Sequence, residues 1–391
     1  MSGISSKLRR RSSVLLLTSM AVAAVSASDL VVHAQQSQVS KGYTTPIPEE
    51  IFTPDTVKTS AGTFRFFDGM PDEATVRTSF ENLKFIRGYE TFLTLMPAAS
   101  IEMLRHGHAG VGVDDHTKVA LMSPLNSNPL FLTGNTDTVY GSTFFNLQET
   151  GPLVIEIPAG LGPGTINDAF FRFVADTGAP GPDKGKGGKY LILGPDDTEP
   201  SNVGDYFVFR SPTYSNWLIL RAFLDSNGKP DKAIANYENG LRLYPYSQKD
   251  NPPRMSFIKV GEQVFNTVHA NNFEFFNELN TVIQREPIAF LDPELRGLAS
   301  SIGLEKGKPF SPSPQDRKVL EEAIQVGVAY VRSDMGKPRN EDVYFYPGKQ
   351  WFTPFGGGSH EWLVDGGKAA VILMPVIISF GATPSTLQPW C

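Results

Sequence analysis

Cysteine is almost absent: the 391 residues hold one, Cys391, at the very end. An internal disulfide is thereby excluded, and so is a zinc site built from several thiolates. Charge is sparse as well, with acids and bases making up 19% of the chain and a net charge of −6. That balance gives no electrostatic reason to expect nucleic acid or an anionic membrane surface as a partner. Signatures of nucleophilic catalysis are missing, since no Gly-x-Ser-x-Gly elbow occurs. The glycine-rich run "DKGKGGKY" is not a phosphate-binding Walker loop. Gly188 and Lys189 are followed by Tyr190 rather than Ser or Thr, and the run leads into a strand pattern.

What is present is an ordinary globular composition, 40% hydrophobic, with material for two or three domains. Thirty-six glycines, 30 prolines, 27 phenylalanines and 12 tyrosines favour many turns and a β-rich or mixed fold. The N-terminus orders its chemistry as a signal peptide does. "KLRRR" is basic, "VLLLTSMAVAAVSA" is apolar, and "VHA" ends on a small residue before Gln35. The apolar run is short for a membrane span. An uncleaved anchor is the alternative, and "SSV" after the arginines fits a twin-arginine signal poorly. A secreted or periplasmic protein with segment 1–34 removed, and no span after cleavage, is expected.

Residues 35–72 read as an extended lead-in. "DEATVRTSFENLKFIRGYETFLTLM" has apolar residues at helical spacing and predicts a helix stopped by Pro97, with a second helical stretch at "AASIEMLRHG". The period then changes. "TVYGSTFFNL", "GPLVIEIP", "AFFRFVAD", "KYLILGP", "DYFVFRSP" and "NWLILRAFL" are short β-type runs separated by turn residues. They predict an antiparallel, jelly-roll-like β-sandwich with flanking helices over 73–225. Helical patterning returns in "PDKAIANYENGLR", "NNFEFFNELNTVIQRE" and "SPQDRKVLEEAIQVGVAYVRSD", so 226–368 reads as a mainly helical connecting region within an α+β chain.

Candidate functional residues fall into three groups. The turn from Asp176 to Pro195 carries Asp183 and three lysines; Lys184, Lys186 and Lys189 beside backbone amides could cradle an anion, or the turn is a structural loop. "HGHAGVGVDDH" brings His106, His108, His116, Asp114 and Asp115 together on paper; its glycines favour a solvated loop over a metal site. His360 beside Glu361 is undetermined. Arg172, Arg210 and Arg221 lie in or beside apolar strand patterns, where an unpaired charge is costly. Asp137, Asp168, Asp176 and Asp183 are the expected partners. Structural ion pairs are one reading, and a pocket for a carboxylate or polyhydroxylated ligand is the other.

The runs "LTGNTDTVYGSTFFNL", "GPDKGKGGKYLILGP", "FVFRSPTYSNWLILRAFL", "YPYSQKDNPP", "LASSIGLEKGKPF" and "FYPGKQWFTPFGGGSHEW" together resemble bacterial exported proteins that carry domain of unknown function 1254 followed by domain of unknown function 1214. The resemblance runs from about Phe80 to Lys368. It departs at Gly134, Asn135 and Thr136, where the family commonly has proline-asparagine and then asparagine. It implies a β-sandwich first domain, a helical connection and a second, C-terminal β-sandwich. It brings no reaction, because fold does not supply function.

After Gly367 the family continues into a segment reading "LDAR" and later "TPAM", whereas this chain reads "KAAVILMPVIISFGATPSTLQPWC". Codons for Ala369 to Val376, read one base back, can spell Gly-Gly-Arg-Asn-Leu-Asp-Ala-Arg. Those for Pro384 to Cys391 with the stop codon, shifted alike, can spell Ala-Val-Asn-Thr-Pro-Ala-Met-Val-Leu. One shift yields both landmarks, so 369–391 reads as an out-of-frame tail and the second sandwich as missing. The functional expectation is a small polar ligand bound or processed by the β-domain. The alternative is a non-enzymatic envelope or assembly protein acting through protein contacts. Homo-oligomerisation, cofactor and reaction stay open. For export, the checkable outcome is the mature terminus: N-terminal sequencing of protein recovered outside the cytoplasm should begin near Gln35, and an intact Met1 there contradicts it.

Overall fold

The computed structural model describes residues 45–352, apart from 47, 132, 133, 340, 342 and 343, together with the backbone of 363–364 and 368–369. The expected leader 1–34, His360, Glu361 and the tail beyond 369 lie outside the described residues. Contacts divide the chain into a unit ending at Pro54 and a second unit from Asp55 onward. In the first, the described residues form one 3-10 turn, Glu49–Ile51.

The second unit opens with a meander, β1 (Thr56–Thr59), β2 (Gly62–Phe67) and β3 (Met70–Pro71). Asp72 then caps a helix by accepting the Thr75 N–H at 2.7 Å. This helix, α1, runs unbroken from Glu73 to Gly110 with Pro97 inside it. The expected stop at Pro97 is therefore wrong. Proline removes one backbone hydrogen bond from a helix, but Leu95, Met96, Ala98, Ala99 and Ile101 around it are all buried. Tertiary packing on both sides of the proline outweighs the local defect. The glycine-rich stretch from His106 to Gly110 is likewise helical rather than a solvated loop.

Ten strands follow or flank: β4 (Lys118–Met122), β5 (Thr138–Asn146), β6 (Leu153–Ile157), β7 (Gly164–Asp168), β8 (Phe173–Thr177), β9 (Gly188–Leu193), β10 (Tyr206–Arg210), β11 (Ser215–Phe223), β12 (Arg242–Pro245) and β13 (Ser256–Lys259). Two short helices are interleaved, α2 (Leu147–Thr150) and α3 (Asp231–Gly240). The six runs read as β-type contain β5, β6, β8, β9, β10 and β11. A six-stranded sheet has the order β13-β4-β5-β11-β7-β8, and a four-stranded sheet has β10-β9-β6-β12. The sheets are mixed rather than purely antiparallel, because β13 lies parallel to β4 and β10 parallel to β9. In each case a long connection replaces a hairpin, which is what a parallel neighbour requires. β12 and β13 come from the stretch that reads as mainly helical.

The period-two alternation of the central strands sends side chains to two cores. From β11, Leu218, Leu220 and Ala222 join Val139 and Phe145 of β5 and meet Leu153, Ile155, Tyr190 and Ile192 of the four-stranded sheet. Trp217 and Phe144 point the other way, into a helical core with α1. That core is completed by α4 (Glu274–Arg285), α5 (Pro293–Ser301) and α6 (Pro314–Gly336). Beyond it the described backbone includes a short antiparallel pair, β14 (Leu363–Val364) with β15 (Lys368–Ala369).

Close helix packing rests on residues without side chains. A Cβ at Gly327 of α6 would lie 2.5 Å from Phe92 Cδ1, and one at Gly88 of α1 would lie 2.7 Å from Leu320 Cδ2. Gly107 is tighter still, because a Cβ there would meet the Asn266 carbonyl oxygen at 2.3 Å. Gly110, three residues on, has open space. Intrinsic propensity favours alanine at Gly107 and less so at Gly110, the last residue of the helix, so a loss at Gly107 reports packing. Gly107→Ala is expected to cost about 1–3 kcal/mol, while Gly110→Ala is neutral or stabilises by up to about 1 kcal/mol. Urea unfolding of the two variants checks this.

Candidate functional site

The residues singled out in the sequence separate into several places. Arg172 donates from Nε to Asp168 Oδ2 at 2.7 Å and lies over the Phe170 ring. Asp168 is fully buried and also accepts the N–H groups of Phe170 and Arg172, each at 2.8 Å. Burial raises its carboxyl above the ordinary value, against the pull of Arg172. This pair organises the turn from β7 to β8. Among the described residues the other two arginines make no such pair. Arg210 donates to the Gly194 and Asp197 carbonyls at 2.7 and 2.9 Å. Arg221 is exposed and stacks over Tyr140, 5.5 Å from the ring centre. Exposure removes the burial cost that motivated expecting a carboxylate beside them. Asp137 stands exposed on the turn before β5, and Asp176 is half-buried on β8.

Asp183 holds its own loop from the inside. Its carboxylate accepts Gly178 N–H at 2.7 Å, Gly187 N–H at 3.1 Å and the Tyr190 hydroxyl at 2.6 Å. Gly187 sits at φ 77°, and a Cβ there would approach the Ile157 carbonyl oxygen to 2.5 Å. Lys184 and Lys186 are exposed on this loop. Lys189 pairs with Glu156 at 2.6 Å, and that carboxylate also accepts the Tyr244 hydroxyl at 2.6 Å.

The histidine run does not converge either. His108 is buried on α1, with Nδ1 2.8 Å from the Leu104 carbonyl and Nε2 2.8 Å from Ser142 Oγ. Trp217 Nε1 donates to the same hydroxyl at 2.8 Å. The Ser142 proton is then free to go to His108 Nε2, which leaves the imidazole proton on Nδ1. Burial pulls this histidine down to about 4, so it is neutral at physiological pH. Ser142 thereby ties α1 to β5 and β11. Asp114 and Asp115 pair instead with Lys118.

A buried ionic cluster that the sequence reading passed over lies where α1 meets the end of α4. Glu102 receives Arg105 at 2.6 Å and Arg285 at 2.5 Å, and Arg285 also reaches Glu286 at 3.2 Å. Burial pushes Glu102 up, yet the two guanidiniums outweigh it and hold the carboxyl below its usual range. Glu286, fully buried, accepts the N–H of Tyr214 at 2.7 Å at the entry to β11. A lone carboxylate inside the apolar run "PAASIEML" was the available signal.

Beside this cluster is a cleft of about 340 Å³. Ile283 of α4, Ile288, Phe290 and Leu291 of the following turn, Ala299 of α5 and Leu304 make it largely apolar. Its wall after α5 is clamped to the end of α4. Lys306 Nζ donates to the Gln284 and Glu286 carbonyls at 2.7 Å each, and Gln284 binds Glu305 O and Gly307 N–H at 2.9 and 2.8 Å. Glu305 is paired with Lys308 at 2.8 Å. Arg296, exposed on α5, also lines the cleft and makes no ion pair among the described residues. None of the charged residues singled out in the sequence lines this cleft. Arg296 was invisible to sequence reading because nothing distinguishes a free surface arginine from a paired one.

Half-buried Glu278 and buried His269, next to these elements, set a pH dependence. Glu278 of α4 accepts the Ala270 N–H at 3.1 Å, and burial pushes its carboxyl up to about 8. His269, like His108, is pulled down by burial to about 4. Between pH 4.5 and 8 the folded state holds a proton on Glu278 that the unfolded state has lost, so stability from this group falls as pH rises. The two histidines act oppositely, adding stability as pH rises from about 4 to 6.5. Stability should therefore decline from about pH 6.5 to 8. Glu278→Gln, which keeps an acceptor for Ala270, should flatten that limb in melting curves taken at each pH.

No curated protein matches the chain. A crystal structure of a Vibrio parahaemolyticus protein is similar at 12% identity and TM-score 0.48, covering 67% of this chain and 62% of that one. An uncharacterized protein from Burkholderia cenocepacia is similar at 13% identity and TM-score 0.25, covering 68% of this chain and 62% of that one. The chain thus spans less than two thirds of either structure's length. Over residues 116–245, the stretch that takes in β4 to β12, it matches the family model described as Protein of unknown function (DUF1254).

Proposed function

We propose that the protein is an exported binding protein that takes a small amphipathic anion, an apolar body with a carboxylate or phosphate head, into the cleft between α4 and α5. One observation carries this: an apolar cleft of about 340 Å³ has on its wall the guanidinium of Arg296, which makes no ion pair among the described residues. That volume falls in the range of small-molecule sites, which are mostly apolar with a few polar groups fixing orientation. The other charges there are engaged, Glu305 by Lys308 and Lys306 by helix-end carbonyls, so Arg296 is the group left to meet a ligand's head. The reading places the ligand in the helical half rather than in the β-domain. It includes export, on the order of basic, apolar and small residues before Gln35, and packing of the two sheets as a sandwich. The alternative of an assembly protein draws on the exposed apolar residues along α1.

Isothermal titration with medium-chain fatty acids, and with alcohols of equal length, tests the reading. Carboxylates should bind saturably and alcohols more weakly. Arg296→Gln should weaken the carboxylates by about 10–100-fold, as loss of a hydrogen bond to a charged group does, with the melting temperature unchanged. Equal binding by Arg296→Gln, or no binding of either series, contradicts it.

A further inference from the structure

We propose that the outer face of the first half of α1 is a self-complementary surface that pairs antiparallel with the same face of a second copy of this chain. Four large apolar residues on α1 are exposed, Val76, Phe80, Leu83 and Ile86, with Phe80 67% exposed. At 100° per residue, Val76, Phe80 and Leu83 fall within about 60° of arc, and Glu73 and Arg87 widen it only to about 80°. The flanks of this arc are already occupied. On one side Asn82 donates to the Ala61 carbonyl of the meander at 2.8 Å. On the other Lys84 pairs with Asp316 of α6 at 2.9 Å, and Gly88 packs against Leu320. The stripe between them is left without a partner among the described residues. Phe67 and Met70, on the hairpin leading into α1, are exposed as well.

The spacing of residues along the stripe identifies what fits it. Reversing the helix about Phe80 brings Phe80 onto Phe80 of the second copy and Val76 to within one residue of its Leu83. The same reversal sets Glu73 opposite Arg87, so apolar and charged positions match in one register. A two-fold axis demands this property of an isologous interface. The charges are free to re-pair. Glu73 meets Arg77 only at 4.0 Å and Arg87 meets Glu90 at 2.9 Å, all on the surface, where such pairs contribute little. The 73–87 segment is about 21 Å long, long enough for two helices crossing near 20° to stay in contact.

Sedimentation velocity of the full chain over a range of concentrations is the test. A monomer–dimer equilibrium is expected, weakened about tenfold or more by Phe80→Asp. Glu73→Arg and Arg87→Glu should each weaken it, and the two together should restore it. In a Cys391→Ser background, Phe80→Cys should oxidise to a covalent dimer. A monomer at every concentration overturns the proposal, as does a dimer indifferent to Phe80→Asp and to both charge reversals. A monomer whose introduced thiol resists a soluble thiol reagent also overturns it, because the chain's own remaining residues then cover the stripe. Should Phe80→Asp fail to fold, the two charge reversals and their double variant decide.

Discussion

The buried pairing of Glu102 with Arg285 is the constraint on which the rest of the architecture turns. It joins the C-terminal third of α1 to the last turn of α4. Through Glu286 it reaches the Tyr214 and Ser215 amides at the start of β11. A carboxylate taken out of water is tolerated only when it is paired and hydrogen-bonded, so α1, α4 and the six-stranded sheet must meet in one arrangement for Glu102 to be buried at all. The same helix end supplies the Gln284 and Glu286 carbonyls that Lys306 binds. The wall of the cleft is therefore set by the joint between helices and sheet.

Much of this was legible in the sequence, and the failures have causes. The six β-type runs and the three helical patterns after Asp225 rest on side-chain periodicity, which one strand or helix imposes by itself. β7 and β13, in "GTIND" and "SFIK", are short and carry polar or charged residues. Their strand identity comes from the neighbours they pair with. Pro97 misled because helix continuity there is decided by packing on both sides. The candidate charges lie in apolar patterns, yet Arg210 at the end of β10 and Arg221 within β11 are both exposed. Asp183 was correctly placed in a tight loop, but its partners are that loop's own amides and Tyr190. Glu102 was missed although it interrupts an apolar helical run, the plainest sign of a buried charge.

Division of labour along α1 follows from its length. At 38 residues it outruns any single core. Its second half is buried among α4, α5 and the aromatic side chains of β5 and β11. Among the described residues its first half rests on the meander and α6, with one stripe left uncovered by them. A helix anchored so firmly at one end presents the other as a rigid surface.

The most direct test of this account is a double-mutant cycle on Glu102 and Arg285, followed by chemical denaturation. Glu102→Gln and Arg285→Met alone should each lose about 3–5 kcal/mol, because each removes one partner of a buried ion pair. The double variant should lose less than their sum, since the Glu102–Arg285 interaction is then lost only once, while Glu286 loses its guanidinium in both Arg285→Met backgrounds alike. Additive losses, or single losses below about 1 kcal/mol as for a surface pair, would show that the joint between α1 and α4 does not depend on this pair.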